Sequence, residues 1–260
     1  MRADCFMVAK YSLSLYEMTP TIYDSYIDTK MERRNFDEVF RRVKKYSNNR
    51  NKTRILDLCC GTGIFPRKWL SKMAGVEYHG IDTNLHFLSF ARKNLPKPNY
   101  RFTFGNVISK KVKGRFDIIL ATSSYHHIQD SQKRKYLRNA LRHLKKNGVL
   151  IIYEKMVPAF RNKQEAIRSG TNFYLERIIE MTSKEKLTEV QLFALFNELY
   201  LTAIRKEEYK VPYSRAVKDL ENTGFIIAES KKIWPKANSL GDKSAGEYVI
   251  VCRRKDNAKQ

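Results

Sequence analysis

Acidic residues are scarce in this 260-residue chain: 27 Asp and Glu face 50 Lys and Arg, giving a formal charge of +23. Such an imbalance draws polyanions and acidic membrane surfaces, but it does not specify a fold. Cysteine is scarce too. Cys5, Cys59, Cys60 and Cys252 show no C-x-x-C spacing and no histidine pairing, so no zinc or other metal site is expected. The adjacent Cys59 and Cys60 read as small reduced residues of a cytoplasmic protein. No apolar run approaches the roughly 20 residues of a membrane span, so no membrane partner is expected. Met1 to Phe6 lacks a basic start followed by an apolar core, so no signal peptide is expected either. No internal repeat or low-complexity tract is present. Apolar residues still make up 42% of the chain, which excludes general disorder and allows one domain with room for an insertion.

The positive charge is concentrated in two stretches. Arg41-Arg42-Val43-Lys44-Lys45 continues through Arg50, Lys52 and Arg54 without an acid. Lys133, Arg134, Lys135, Arg138, Arg142, Lys145 and Lys146 lie on one predicted helix, again without an acid. Three readings stay open. The surface binds RNA, it meets an acidic substrate or membrane surface, or the charge reflects a composition rich in lysine, asparagine, isoleucine and tyrosine and has no specific partner.

One segment carries more information than the rest. Ile55-Leu56-Asp57-Leu58-Cys59-Cys60-Gly61-Thr62-Gly63 is an apolar strand, an acid and a glycine loop, and Gly80-Ile81-Asp82 ends a second strand. This is the layout of a nucleoside site in an α/β protein. Glycines let a backbone approach a bulky ligand, and Asp82 is placed to accept ribose hydroxyls. The third glycine of a dinucleotide fingerprint is absent. Asp57 would repel a pyrophosphate and suits a cationic ligand.

On these residues the chain resembles the class I S-adenosylmethionine (SAM)-dependent methyltransferases. Their motif D-x-G-x-G-x-G is carried as Asp57 to Gly63, with Cys59 at the first glycine. The resemblance extends to the helix after Asp82 and to Phe104-Gly105-Asn106-Val107, the adenine segment, where the family often has Asp at Asn106. It also covers the strand and loop from Phe116 to Ile128 and the turn and strand from Leu144 to Glu154. It is strong over 50–155 and weaker over 213–253. It implies a Rossmann-like, doubly wound, seven-stranded sheet, mostly parallel with one antiparallel strand. SAM is the implied cofactor and S-adenosylhomocysteine its product. The implied cofactor-binding residues are Asp57, Cys59, Gly61, Gly63, Asp82, Thr83, Asn106, Val107, Thr122 and Tyr23. The last belongs to an N-terminal segment of the kind that closes over the cofactor in this family, though packing on the sheet edge is an equal reading for it.

The expected organisation is a helical segment at 1–50, a SAM-binding core at 51–155, a helical insertion at 156–212, and a closing helix and hairpin at 213–254. Tyr11, Leu13, Leu15 and Tyr16 mark the first segment, before a charged helix near 32–46. Strands are expected near 54–58, 76–81, 100–105, 116–121 and 148–153, and helices near 64–73, 85–94 and 131–146. Alternating strands and helices imply a parallel sheet covered on both faces. The insertion reads as two helices, 161–182 and 184–207, forming a lid after strand five. Arg168, Tyr174, Tyr200, Arg205 and Tyr209 are its candidates for meeting a substrate.

In-line methyl transfer mainly requires alignment and exclusion of water, with a base only where the acceptor keeps its proton. Tyr125-His126-His127 supplies the catalytic candidates His126 and Tyr125, with His127 expected to pack or cap. The Asn/Asp-Pro-Pro-Tyr/Phe motif that stacks a flipped adenine is missing; Thr122-Ser123-Ser124 stands in its place. No cysteine stands where C5 methylation of cytosine needs one. A small-molecule acceptor is therefore expected. The alternative is an RNA methyltransferase or a tRNA-modification enzyme like carboxy-SAM synthase, which the lid placement also resembles.

Overall fold

The computed structural model describes residues 18–47 and 52–255. The apolar set Tyr11 to Tyr16, Cys5 and the loop at 48–51 lie outside the described residues.

Two helices come first. Pro20–Ile27 (α1) begins on Thr19, whose hydroxyl accepts the Ile22 amide. Lys30–Tyr46 (α2) begins on Thr29, which caps Glu32 in the same way. Such caps are worth about 1 kcal/mol each. The sheet follows: Thr53–Leu58 (β1), Val76–Asp82 (β2), Tyr100–Phe104 (β3), Phe116–Thr122 (β4), Leu144–Met156 (β5), Phe225–Trp234 (β6) and Gly246–Arg254 (β7). Its order is β3-β2-β1-β4-β5-β7-β6. β1 to β5 pair in parallel, and β7 runs antiparallel to both β5 and β6. This is the expected doubly wound sheet with one reversed strand.

The intervening helices are Ile64–Lys68 (α3), Leu85–Asn94 (α4) and Lys133–His143 (α5). α3 is shorter than the expected 64–73, because the chain leaves it at Trp69 for a 3-10 turn at Leu70–Lys72. α5 stops before the expected 146, since β5 begins at Leu144 and its register against β4 then shifts. Between β5 and the closing helix Tyr213–Glu221 (α8) stand Lys163–Lys184 (α6) and Glu189–Ile204 (α7). Asn162 caps α6, and a Thr188–Gln191 capping box opens α7.

Each face of the sheet has its own core. Ile55, Ile118 and Ile151 pack with Phe36, Val39, Phe65 and Phe173. Leu56, Ile119 and Leu150 pack with Tyr136, Leu137 and Leu220. Alternation along each strand produces the two layers. It also leaves the carboxyl ends of β1, β2 and β4 at one edge, where open α/β sheets bind ligands.

Candidate active site

The loop after β1 is held in a tight form by left-handed residues: Cys59, Gly61 and Gly63 have φ of 64°, 56° and 68°. At Gly63 a Cβ would also lie 3.1 Å from Cβ of Ala91, so the loop closes on α4 only without a side chain there. Gly61 N–H donates to Asp82 Oδ2 at 2.8 Å, and Asn84 N–H donates to Oδ1 at 2.8 Å. These bonds fix the Asp82 carboxylate at the mouth of the loop. Burial raises its pKa, and the amides oppose that rise. Asp57 lies beneath the loop and does not line the cleft. Its Oδ2 accepts the Tyr78 hydroxyl at 2.8 Å, while its buried Oδ1 has no protein partner. Burial pushes this carboxyl up to about 7; the Tyr78 hydrogen bond opposes the rise and Asp82 adds to it.

These residues border a cleft of about 540 Å³. Asp82, Thr83, Phe87, Asn106 and Val107 line one end, and Ser123, His127, Ile128, Gln132 and Glu207 the other. Asn106 Oδ1 already accepts the Ile108 amide at 2.9 Å, which leaves one lone pair on that oxygen. Tyr23 covers the loop, with its ring 3.6 Å from where a Gly61 Cβ would stand and 5.3 Å from the Phe87 ring. Asp24 holds α1 there: it accepts the Thr62 hydroxyl at 2.5 Å and pairs with Arg67. From behind, Gln191 on α7 donates to Ser25 O at 3.0 Å, and Glu185 accepts Lys30 N–H at 2.9 Å.

The turn after β4 assigns its three aromatic residues to different surroundings. Thr122 is buried at the strand end, and Ser123 takes a left-handed φ of 47°. Tyr125 and His126, the catalytic candidates, do not border the cleft. Tyr125 is buried and donates to Asp219 Oδ2 at 2.9 Å. His126 is buried with both its amide and Nδ1 on Glu154, and its Nε2 is 3.8 Å from Glu208. Burial, with His127 and Lys210 adding, drives its pKa well down.

His127 is the ring at the cleft. Its Nδ1 is 2.9 Å from the Glu207 carbonyl oxygen. A carbonyl only accepts, so Nδ1 carries the proton and Nε2 keeps its lone pair. Burial pushes this ring down to about 4, so it is neutral at pH 7. Residues His126, His127 and Glu208 bring one possible ligand atom each within 4.8 Å of one another, as a cation would need. Lys210 already bonds Glu208 there, and His127 Nδ1 is committed to Glu207.

None of the five lid candidates lines the cleft. Tyr174 is buried on Glu198, Arg205 is paired with Asp130, and Arg168 is exposed. Glu207, Ser123 and Gln132 reach the cleft without a motif to announce them. Cys59, Ser123 and Glu207 share one feature: each lines the cleft at positive φ. Backbone strain of this kind gathers at ligand sites, and no residue pattern encodes it.

Residues 55–148 match the model of a family described as a methyltransferase domain. An uncharacterized methyltransferase of Bacillus thuringiensis is 25% identical over 162 residues, covering 57% of this chain and 74% of that protein. Among solved structures, the N-methyltransferase NodS from Bradyrhizobium japonicum, in complex with S-adenosylhomocysteine, aligns with a TM-score of 0.58 at 11% identity. That alignment covers 87% of this chain and 89% of NodS. The O-methyltransferase NcsB1 from neocarzinostatin biosynthesis, in complex with S-adenosylhomocysteine and 1,4-dihydroxy-2-naphthoic acid, aligns with a TM-score of 0.51 at 10% identity. It covers 78% of this chain and 49% of that one.

Proposed function

We propose that this chain, a class I SAM-dependent methyltransferase, transfers its methyl group to a small-molecule acceptor bound between Tyr23 and the His127 end of the cleft. The observation that carries this reading is the cleft itself. A fixed carboxylate stands at one end and a neutral imidazole at the other, in about 540 Å³. That is the scale of sites that enclose small molecules.

The residues suit the cofactor. Asp82 has its amide bonds on the loop side and free lone pairs for ribose hydroxyls. Thr83, Asn106 and Val107 would border the adenine. Cys59 and Gly61 border the methionine portion, while Gly63 closes the loop on α4 and Thr122 is buried at the neighbouring strand end. Asp57 places an ionisable carboxyl under the cationic end. SAM supplies an electrophilic methyl on a sulfonium and departs as S-adenosylhomocysteine. In the acceptor half, His127 Nε2 takes the proton released by a hydroxyl or amine as the new bond forms. Tyr23 and Ile128 exclude water from that half. The helices α6 and α7 act as the lid through α1, not by lining the cleft.

The test is S-adenosylhomocysteine formation from SAM across a panel of phenols, carboxylic acids and amines. Turnover of at least one class that is abolished in Asp82→Ala supports the reading. Tight SAM binding with no acceptor-dependent product from any class would contradict it.

A further inference from the structure

Part of the charge in the two basic stretches that stand out in the sequence is paired in the fold. Arg41 and Arg42 pair with Glu38, and Arg42 and Lys45 pair with Glu229. Lys133 is buried on the Tyr125 carbonyl, Arg134 pairs with Asp219, and Lys145 pairs with Asp117. The continuation of the first stretch, Lys52 and Arg54, instead reaches a concave surface.

The β3–β4 connection, residues 105–115, contains no helix. One face of the sheet is therefore bare near the amino-terminal ends of β1, β2 and β3. On that face Leu56, Leu58 and Ile81 lie in the core with α5. Farther down, Arg54, His79 and Arg101 continue the same alternation without a covering element. The result is a groove of about 410 Å³ whose charged lining is Lys52, Arg54, Arg101 and Lys113 against the single acid Glu77. Glu77 is shared by Lys52 and Arg54 at 3.3 and 3.5 Å. Arg101 and Lys113 are exposed and make no ion pair among the described residues. The cations continue along the connection, where the Lys110 carbonyl is tied to Asn139 of α5 at 3.1 Å. The surroundings are positive enough to register on a neighbour: His79 is pushed down to about 4, by burial first and then by Arg101 and Arg54.

We propose that this groove binds the phosphodiester backbone of single-stranded RNA. Four cations against one acid complement a polyanion, and no acid interrupts the Arg101–Lys113 side. The concavity favours an extended strand over a bilayer, which would touch only the rim. No helix projects from this face to enter a duplex groove, whereas bare sheet faces serve single strands. Recognition is of phosphates, not bases. The Phe and Tyr rings in the groove, Phe116 and Tyr78, are both buried, Phe116 beneath the Arg54 guanidinium 4.9 Å away. The groove and the cleft lie at opposite ends of the strands, roughly 15 Å apart by strand length. RNA held here tethers the protein without presenting an acceptor, so the inference stands independently of the methyl-transfer reading.

The test is fluorescence anisotropy of the full chain with a labelled oligouridylate of about 20 nucleotides, at about 50 to 200 mM salt. Wild type should bind with an affinity that falls steeply as salt rises. Arg101→Glu with Lys113→Glu should weaken binding roughly 10-fold or more and flatten the salt slope, with SAM affinity intact as proof of folding. Lys163→Glu with Lys186→Glu, the same charge change on the exposed ends of α6 and its following loop, should leave RNA affinity within about 2-fold. Equal losses in the two double variants, or no loss in the first, would overturn the proposal. So would tighter binding of the matching deoxyoligonucleotide, or of vesicles containing phosphatidylserine, than of RNA.

Discussion

Under the proposed function Asp82, His127 and Asp57 have different tasks, and each has its own expected signature. Asp82 accepts the Gly61 and Asn84 amides and borders the cleft. Its replacement by Ala should weaken SAM binding by roughly 10- to 100-fold in calorimetry, the range for a lost charge-assisted hydrogen bond. His127→Asn should cut kcat by roughly 100-fold while SAM affinity is unchanged. Because that ring is held down to about 4, the wild-type rate should show no loss from its protonation until pH approaches 4. His126→Asn should act differently, since it strips a partner from buried Glu154. A lowered melting temperature, not a selective fall in kcat, is expected there. Asp57 gives the pH dependence of binding. Its carboxyl is pushed up to about 7 in the free protein, and a cationic ligand above it favours the ionised form. SAM affinity should therefore rise as pH rises through 7, with a proton released on binding near that pH. Asp57→Asn should abolish both effects, and calorimetry in buffers of different ionisation enthalpy reads them.

At the scale of elements, α1 and α2 are the parts whose role was hardest to read from residues. The apolar stripe of α2 is legible, yet Glu32, Asn35 and Glu38 are buried beside it. Their partners are distant in sequence. Arg177 of α6, fully buried, bonds Glu32, the Tyr26 hydroxyl at 2.7 Å and Glu247 at 2.6 Å. The Tyr153 hydroxyl completes the Glu32 shell at 2.9 Å. Nothing within a local window signals such a network, because pairing across 145 residues leaves no periodic trace. Removing Arg177 alone leaves buried Glu247 without its cation and Glu32 with Lys155 only, so Arg177→Met should cost about 3–5 kcal/mol, measured as denaturant midpoint. Acid should probe the same network. Burial would raise Glu32, but Lys155 and Arg177, with the Tyr26 and Tyr153 hydroxyls, outweigh it and hold the carboxyl at about 2 against an ordinary 4.5. A depressed acid stabilises the fold above its unfolded pKa. That contribution is complete above about pH 4.5 and is lost as pH falls through 2.

For the molecule as a whole, the parallel part of the sheet was legible because strands alternate with helices, while the reversed strand was implied only by the resemblance to the methyltransferase family. The glycine loop and Asp82 were legible because backbone approach and carboxylate placement demand particular residue types. The acceptor half was not. Which of two adjacent histidines faces the cleft depends on a single 3-10 turn and on Glu207, which lies 80 residues away. The charge was legible in amount but only partly in place, since Glu38 and Glu229 pair with Arg41, Arg42 and Lys45 while Lys52 and Arg54 of the same run line the groove. Helices α6 and α7 were legible as helices, while their route to the cleft runs through α1. No helix among the described residues is long and apolar enough to cross a membrane.

The measurement that tests the central claim most directly uses methyl-labelled SAM, the purified full chain and an extract separated into small-molecule, RNA and protein fractions. Label in the small-molecule fraction, lost in His127→Asn, is the predicted result. Label confined to RNA would contradict the account, because it would make the groove or the cleft a platform for a nucleic-acid acceptor.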